Sequence, residues 1–352
     1  MGNRIILMLI LLLVLPVASA RQNEIDGVCL VTDIGRVDDG TFNQYTYEGM
    51  VRAVEDFDLD SDFIETTAQT DYEKNINYCL QEGYDIIITI GYLLADATRE
   101  AALNYPDRYF IGIDQDVFDG DKEQPANWVG IQAREDQAGY IVGVLAALVS
   151  ESKIVGGVFG DAIPPVVRFR NGYEQGIRSI DPTIEILGVY IDDFNAPDRG
   201  ASAALQFIGE GADVIFGCGG PTGSGGILAA AQKDTYVIGV DQDEFFTTFN
   251  EGETPGAEFL VSSAIKRVDV GVYNMIEALV TGNMDEFLGG NNYVLDVANG
   301  GIDFAGPNES DIPEEIYEQV AEIKDKLASG ELQTGVDPIT GEILEEAAPS
   351  DS

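Results

Sequence analysis

Two aspartates occupy the same position in a repeated motif. The chain reads FIGIDQD at 110–116 and VIGVDQD at 237–243, so Asp114 and Asp241 each follow an apolar run. A carboxylate can accept hydrogen bonds from a small polar ligand, and Asp241 could serve two neighbouring hydroxyls, as on a ribose. Ligands of open parallel α/β sheets bind beyond the carboxyl ends of the strands. The repeat therefore predicts two similar lobes, whose aspartates face each other across one cleft.

A second set of polar and aromatic residues follows the first apolar run of the chain. The segment TDIGRVDDGTFNQ, at 32–44, contains Asp33, Phe42 and Asn43. An aromatic ring beside a carboxylate and an amide suits a planar ligand with N–H groups at its edge, such as a nucleobase. Stacking of a base on such a ring is worth about 1–3 kcal/mol. The alternative is structural: Phe42 could be a core residue and Asn43 a helix N-cap.

The segment GGPTGSGG joins a predicted strand to a predicted helix and begins with Gly219 and Gly220. Glycines let a ligand approach the backbone, and the N-terminus of a helix offers free N–H groups. The segment matches neither the dinucleotide-binding pattern nor the P-loop pattern. A ligand-binding loop and a plain tight turn explain it equally well.

Three more residues are candidates, each with a structural alternative. Lys266 is isolated within the apolar segment SSAIKRVDV, where it could contact a ligand or extend its ammonium group to the surface. Phe169 and Phe216 lie at predicted strand or loop ends, where each could stack on a ligand or belong to the core.

The composition restricts the possible functions. The chain has 352 residues, 45 % of them apolar, which suffices for two domains with separate cores. It contains no histidine, which excludes a Ser-His-Asp triad, a Cys-His pair and an HExxH zinc site. The net charge of −43 excludes the basic surface that nucleic acid requires, and it indicates solubility. We expect no catalytic residue, no metal site and no cofactor.

The predicted elements place the candidate residues at strand ends. Short apolar runs alternate with helical segments, a pattern typical of βαβ units and a parallel sheet. Asp85 precedes Asp114 by 29 residues (114 − 85), and Asp213 precedes Asp241 by 28 (241 − 213), so the halves repeat one plan. We therefore predict an α/β protein with two Rossmann-like lobes, each on a parallel sheet, around a central cleft.

The lobes are expected to exchange segments late in the chain. The predicted domains are a signal peptide at 1–20, lobe one at 24–131 plus 243–283, lobe two at 132–242 plus 284–340, and an acidic disordered tail at 341–352. The segment AIPPVVRF is predicted as a loop, and 260–282 as a helix that packs on lobe one. The segment NNYVLDVANGGIDFAG is predicted to return to lobe two.

The N-terminus is typical of a secretory signal. Arg4 precedes the apolar stretch Ile5–Val17, and Ala18-Ser19-Ala20 forms a small-residue cleavage site. A retained anchor helix is the alternative, although thirteen apolar residues are short for the roughly 20 of a membrane span. We expect a secreted or periplasmic protein.

Three cysteines, Cys29, Cys79 and Cys218, cannot all pair within one chain. Cys29 and Cys218 lie in apolar runs, and Cys79 lies on a predicted helix. We expect small buried thiols rather than a disulfide or a metal site.

Six stretches carry a resemblance to a known family over about residues 25–305. They are TDIGRVDDGTFNQYTYEG, VGIQAREDQAGYIVGVLAAL, KIVGGVFGDAIPPVVRFRNGYEQG, ADVIFGCGGPTGSGGILAAA, YVIGVDQD and SAIKRVDVGVYNMI. In this order they resemble the basic membrane protein (BMP) family, the PnrA-like purine-nucleoside-binding receptors of ABC transporters. The first stretch and IGVDQD are the most specific.

The resemblance implies a type I periplasmic-binding-protein fold, in which closure of two lobes captures a nucleoside for an ABC transporter permease. The implied base site comprises Asp33, Phe42, Asn43 and Asp114, with Phe216 or Phe169 as a second stacking aromatic. The implied ribose contacts are the Gly219–Gly220 loop, Asp241 and Lys266. We expect a monomer. Many family members are lipoproteins with a cysteine after the signal peptide, but Arg21 follows Ala20 here, so no lipid anchor is expected.

Three alternatives remain open. The ligand could be another small polar molecule, such as a sugar. A secreted enzyme such as a nucleoside hydrolase would need a metal-binding aspartate cluster, for which VDD at 37–39 is the nearest candidate. A receptor that signals to a membrane kinase would have the same sequence.

Overall fold

The computed structural model describes residues 25–118, 120 and 122–344. The predicted signal peptide and residues 345–352 of the predicted tail lie outside the described residues. Within the described part of the chain, no helix has both the length and the apolar character needed to cross a membrane.

Strands and helices alternate along most of the described chain. The strands are β1 (Gly27–Ile34), β2 (Asp60–Thr66), β3 (Ile86–Ile90), β4 (Tyr109–Ile113), β5 (Trp128–Ala133), β6 (Ile154–Phe159), β7 (Glu185–Tyr190), β8 (Val214–Cys218), β9 (Tyr236–Asp241), β10 (Leu260–Lys266), β11 (Asn292–Leu295) and β12 (Ile302–Phe304). The α-helices are α1 (Phe42–Phe57), α2 (Tyr72–Glu82), α3 (Ala95–Asn104), α4 (Glu135–Val149), α5 (Pro164–Ile180), α6 (Pro197–Gly209), α7 (Gly220–Ala231), α8 (Val268–Thr281), α9 (Met284–Phe287) and α10 (Glu314–Ala328).

The strands form two six-stranded sheets with the same topology. Their orders are β2-β1-β3-β4-β5-β11 and β7-β6-β8-β9-β10-β12. Neighbouring strands are parallel, except that β12 runs antiparallel to β10. The strands are near-continuous apolar runs because helices cover both faces; β3, for example, is buried throughout. The prediction of two lobes on parallel sheets is confirmed.

The chain crosses between the lobes at three places. Arg134 joins β5 of the first sheet to α4, which packs on α5 in the second lobe. Arg267 joins β10 of the second sheet to α8, which packs on α1 in the first lobe. Residues 296–301 join β11 of the first sheet to β12 of the second. Two of the three crossings therefore consist of a single arginine between a strand and a helix.

These crossings differ from the predicted lobe boundaries. Residues 260–266 form strand β10 of the second sheet. The predicted helix over 260–282 is therefore wrong for its first part, and only α8 is helical. Strand β11, predicted within lobe two, pairs with β5 in the first sheet. Strand β10 is buried along nearly its whole length, so it lacks the alternation that distinguishes a strand from a buried helix.

Two helices begin earlier than the sequence predicts. Helix α5 starts at Pro164, within the segment predicted as a loop, and proline suits the first helical turn because its missing N–H has no partner to lose there. Helix α7 starts at Gly220, within the segment GGPTGSGG that is predicted to join a strand to a helix. The described part of the tail is also ordered: Val336 pairs with Ile343.

Helices α4 and α5 pack closely at the start of the second lobe. A Cβ atom on Gly139 of α4 would lie 2.2 Å from the carbonyl oxygen of Phe169 on α5, so only glycine fits there. This contact fixes the first turns of the two helices against each other. Phe169 and Glu135 are thereby held near the end of the second sheet.

Cys29 and Cys79 form a disulfide, with their Cα atoms 5.8 Å apart. The prediction of free thiols is therefore wrong for these two residues. The cause is tertiary, because α2 packs on β1 and brings together cysteines 50 positions apart. Cys218 is a buried thiol, as predicted.

We expect reduction of the Cys29–Cys79 disulfide to lower the free energy of unfolding by about 2–4 kcal/mol, because the bond restricts the unfolded chain. Denaturant unfolding with and without reductant measures this change. Cys218→Ala should keep the dependence on reductant, and Cys29→Ser should lose it. Alkylation of three thiols in the unfolded, unreduced protein would contradict the bond.

Candidate functional site

A cleft with about 670 Å³ of empty space lies between the carboxyl ends of the two sheets. Nine of the ten predicted site residues line it: Asp33, Phe42, Asn43, Asp114, Phe169, Gly219, Gly220, Asp241 and Lys266. Residues far apart in sequence therefore meet beyond the carboxyl ends of the parallel strands, as the strand-end rule for ligand sites in open α/β sheets predicts.

Phe169, and not Phe216, is the second predicted aromatic residue in the cleft. Phe216 is fully buried within the second lobe, with its ring centroid 5.0 Å from that of Tyr173 and 5.9 Å from that of Phe159. It lies two residues before the end of β8, too deep in the sheet to reach the cleft, which Cys218 lines instead. Phe169 reaches the cleft because α5 starts at its rim.

Asp33 and Asn43 are joined by a hydrogen bond at one end of the cleft. Asn43 Nδ2 donates to Asp33 Oδ1 at 3.1 Å and to Asp39 Oδ2 at 2.9 Å. Asp39 also accepts the backbone N–H groups of Thr41, Asn43 and Gln44, so Asp39, rather than Asn43, caps α1. Burial raises the pKa of Asp33 to about 7. Asn43 Oδ1 is buried with no hydrogen-bond partner among the described residues.

The ammonium group of Lys266 is buried among carboxylates. Its Nζ lies 2.6 and 2.8 Å from the two carboxylate oxygens of Asp114, and 2.8 Å from Glu135 Oε1. It also lies 4.8 Å from the ring centroid of Phe42 and 6.0 Å from that of Phe169. Burial lowers the pKa of Lys266, but the two carboxylates more than reverse this effect. The side chain is 2 % exposed, so the snorkelling alternative is wrong.

Asp241 faces the cleft without a direct partner. No hydrogen bond reaches its carboxylate from any residue in the described ranges, although the side chain is only 5 % exposed. Burial raises its pKa to about 8. Gly219 and Gly220, nearby on the cleft wall, have φ angles of 112° and 60°, which favour glycine. This end of the cleft therefore has a carboxyl group without a direct partner, on the same wall as the backbone of these two glycines.

The two copies of the Asp-Gln-Asp motif have the same backbone shape. Asp114 and Asp241 both adopt the left-handed conformation, with φ angles of 59° and 67°. Gln115 Nε2 donates to the carbonyl oxygen of Gly91 within the first lobe, at 3.1 Å. Gln242 Nε2 donates at 3.0 Å to that of Gly40, across the two lobes. Each glutamine thus anchors the loop that presents its aspartate.

Several residues at or behind the cleft were not predicted. Phe194 and Asn195 line it, and Asn195 Nδ2 donates to the carbonyl oxygen of Ile34 in the other lobe at 2.5 Å. Both follow the end of β7, so the strand-end rule could have found them. Glu135, the first residue of α4, lies two residues after the end of β5, so the same rule could have found it.

The VDD segment does not form a metal-binding cluster. Asp39 is occupied by the start of α1, and Asp38 is paired with Arg36 at the surface. Among the described residues, no group of three or more histidine, cysteine, aspartate or glutamate side chains could hold a metal ion.

A protein family described as "ABC transporter substrate-binding protein PnrA-like" matches residues 27–337. The chain belongs to this family. It is 31 % identical over 329 residues to the "CD4+ T-cell-stimulating antigen" of Listeria monocytogenes, with 88 % of each chain covered. It is 28 % identical over 316 residues to the "ABC transporter nucleoside-binding protein BmpA" of Lactococcus lactis, with 86 % of this chain and 87 % of that protein covered. PnrA-like proteins bind substrates and are not enzymes, so both the predicted family and the predicted lack of enzyme activity are confirmed.

Solved structures confirm the fold of this PnrA-like protein. The solute-binding protein of an ABC transporter system from Aeropyrum pernix K1 superposes with a TM-score of 0.76 at 23 % identity, with 88 % of this chain and 92 % of that chain covered. A sugar transporter protein from Clostridium phytofermentans gives a TM-score of 0.57 at 15 % identity, with 80 % and 99 % covered. The predicted type I periplasmic-binding-protein fold is confirmed.

The raised pKa values of Asp33 and Asp241 predict that the ligand-free protein loses stability between about pH 4 and pH 8. In this range the folded carboxyls hold protons that the unfolded chain, with aspartate pKa values near 3.8, has released. Asp241→Asn removes one of these buried titrating carboxyls. It should therefore stabilise the protein at pH 8 by about 1–3 kcal/mol and have little effect at pH 4. Denaturant unfolding across this range measures the change.

Asp114→Asn is the matched control, because Asp114 is the same residue type in the same backbone conformation but is paired with Lys266. Its loss leaves the buried ammonium group with one carboxylate partner fewer, so it should destabilise the protein, by about 3 kcal/mol. A loss of stability at pH 8 in Asp241→Asn would contradict this account of the cleft.

Proposed function

We propose that this protein captures a nucleoside, with a purine base, between its two lobes and delivers it to an ABC transporter permease. The observation that carries the proposal is the difference between the two ends of the cleft. One end combines aromatic rings with a carboxylate and an amide. The other has a buried carboxylate, Asp241, with no partner among the described residues, on the wall that also carries the backbone of Gly219 and Gly220.

The first end suits a base. Phe42 and Phe169 both approach Lys266, so a planar ligand that contacts their rings also lies near Asp114. Asp33, Asn43 and Asp114 would then contact the edge of the base. The unpartnered Oδ1 of Asn43 supports this assignment, because a buried acceptor needs a donor and a purine edge carries N–H groups.

The second end suits a ribose. Two neighbouring hydroxyls can both donate to one carboxylate, and Asp241 has both oxygens available. The backbone at Gly219 and Gly220 lies on the same wall, at the start of α7, where its polar groups could contact a sugar. The name of the lactococcal relative, a nucleoside-binding protein, agrees with this choice of ligand.

Closure of the lobes around the ligand would create the form that the permease recognises. Hydrogen bonds already span the lobes, among them those from Asn195 to Ile34, from Gln242 to Gly40 and from Lys266 to Asp114. A ligand that contacts both walls adds to these bonds and favours the closed form. In this proposal the protein acts as a monomer outside the cytoplasm, and Lys266 contributes to ligand binding through Asp114.

Native mass spectrometry of the protein as purified, followed by identification of any released molecule, is the first test. One purine nucleoside per chain supports the proposal, and the same spectrum reports the oligomeric state. A sugar would identify a receptor for a different ligand, and a free base accumulating from added nucleoside would indicate an enzyme. Failure of unfolded and refolded protein to bind adenosine, inosine or guanosine by calorimetry would refute nucleoside binding.

We expect Phe42→Ala to weaken nucleoside binding by about 5- to 150-fold, the equivalent of one base-stacking contact. Calorimetry with the nucleoside found on the protein measures this. Phe246→Ala is the control, because Phe246 is a 58 % exposed aromatic that does not line the cleft. Equal affinity of the Phe42 variant and the wild type would show that Phe42 is not a stacking face.

A further inference from the structure

The two single-residue crossings between the lobes repeat one motif. Arg134-Glu135-Asp136 opens α4, and Arg267-Val268-Asp269 opens α8. In the first, Arg134 Nε and Nη2 donate to Asp136 at 2.7 and 2.8 Å. In the second, Arg267 Nε and Nη2 donate to Asp269 at 2.9 and 3.0 Å. The crossings are therefore copies of each other, as the Asp-Gln-Asp loops are.

The copies differ at two positions that meet in space. Glu135 of the first crossing corresponds to Val268 of the second, and Lys266 of the second corresponds to Ala133 of the first. The side chains of Glu135 and Lys266 form an ion pair of 2.8 Å. A buried cation and a buried anion thus occur where the repeated motifs differ.

Glu135 holds Lys266 at a fixed place. Glu135 Oε2 accepts from Arg168 Nε at 2.6 Å, and Arg168 Nη1 donates to the carbonyl oxygen of Ile339 at 2.7 Å. Glu135 and Arg168 are 0 % and 2 % exposed. The chain of contacts thus runs from Asp114 through Lys266, Glu135 and Arg168 to the C-terminal segment. Buried networks of ion pairs do not in general add to the free energy of unfolding. Fixing the position of Lys266 therefore accounts better for this network.

Lys266 is the only basic side chain among the described residues that line the cleft. Both aspartates lie near it: Asp114 contacts its ammonium group, and Asp241 pairs on β9 with Ile265, the residue before Lys266 on β10. Its ammonium group contacts Asp114 and Glu135, and Asp241 is left without a partner in the described part of the chain.

We infer that Glu135 is a positioning residue that assigns Lys266 to Asp114 and thereby keeps Asp241 free for the hydroxyl groups of the ligand. This inference rests on the proposed function for the identity of the ligand. Glu135 does not line the cleft, and the cleft residue that it contacts is Lys266. It makes the duplicated cleft asymmetric, with a neutralised carboxylate at one end and a free acceptor at the other.

Glu135→Gln tests the inference, because glutamine keeps the shape and removes the charge. Lys266 should then be shared with Asp241. Affinity for adenosine should fall about tenfold, the equivalent of a lost hydrogen bond to a charged group, while affinity for 2′-deoxyadenosine, which lacks one of the two hydroxyls, changes less. The preference for ribose should therefore decrease. In an Asp241→Asn background, Glu135→Gln should have little further effect on that preference.

A measurement without ligand keeps the test independent of the proposed function. Carbon-13 NMR of labelled aspartate carboxyls, with Asp241→Asn for assignment, should show a lower pKa for Asp241 in Glu135→Gln than in the wild type. The charged or titratable groups that act on Asp241 are Lys266, Asp114, Asp39, Glu244 and Cys218. Those that act on Glu135 are Arg168, Lys266, Asp114, Arg134 and Cys218. Lys266, Asp114 and Cys218 act on both Asp241 and Glu135, and of these three Lys266 is the one that contacts Glu135.

Glu174→Gln is the control, since Glu174 pairs with Arg170 and Arg178 on α5 and does not line the cleft. It should change neither the ribose preference nor the pKa of Asp241. If Glu135→Gln does not fold, Glu135→Asp, with a shorter carboxylate, should shift both quantities in the same direction by less. An unchanged pKa of Asp241 in a folded Glu135 variant would overturn the inference. Absence of nucleoside binding in the wild type would overturn only the proposed function.

Discussion

The buried ammonium group of Lys266 offsets part of the free-energy cost of burying several carboxylates in the cleft. Facing two sheets edge to edge brings the carboxylates of Asp33, Asp39, Asp114 and Asp241 together away from water. Removing a charge from water is costly unless an opposite charge or hydrogen-bond donors replace the solvent. Lys266 neutralises Asp114, and backbone N–H groups with Asn43 satisfy Asp39. Lys266 is the last residue of β10 and directly precedes Arg267, so this neutralisation takes place beside one of the crossings between the lobes.

The remaining carboxylates explain why a ligand would complete the structure. Asp33 and Asp241 keep raised pKa values because burial is only partly offset by their surroundings. A molecule that donates N–H groups to one and O–H groups to the other would remove both penalties while it joins the lobes. Ligand binding and lobe closure would then share one source of free energy, since anything that binds the folded form preferentially stabilises it. A cleft optimised for stability alone would have no such carboxylates.

The position of the site could be predicted from the sequence because it depends on a topological rule. Apolar runs that end in aspartate identify the carboxyl edges of parallel strands, and two such edges define a cleft. The choice between Phe169 and Phe216 could not be made, because it depends on α5 starting at Pro164 and on the depth of Phe216 in β8. The Cys29–Cys79 bond depends on the packing of α2 against β1, which no local pattern records. The first depends on the exact bounds of two elements, and the second on a contact between distant segments.

Duplication explains the architecture of the cleft but also creates a difficulty. Two copies of a strand, an aspartate loop and an Arg-x-Asp crossing produce two walls of the same kind, and a ligand with different ends requires walls that differ. The difference could have been introduced in the aspartates themselves, but both are kept, in the same left-handed conformation. It lies instead in Lys266 and Glu135, which replace the alanine and valine of the other copies and meet behind the cleft. An ion pair placed there changes the charge of one wall without altering the backbone of either, so the symmetric fold can hold an asymmetric ligand.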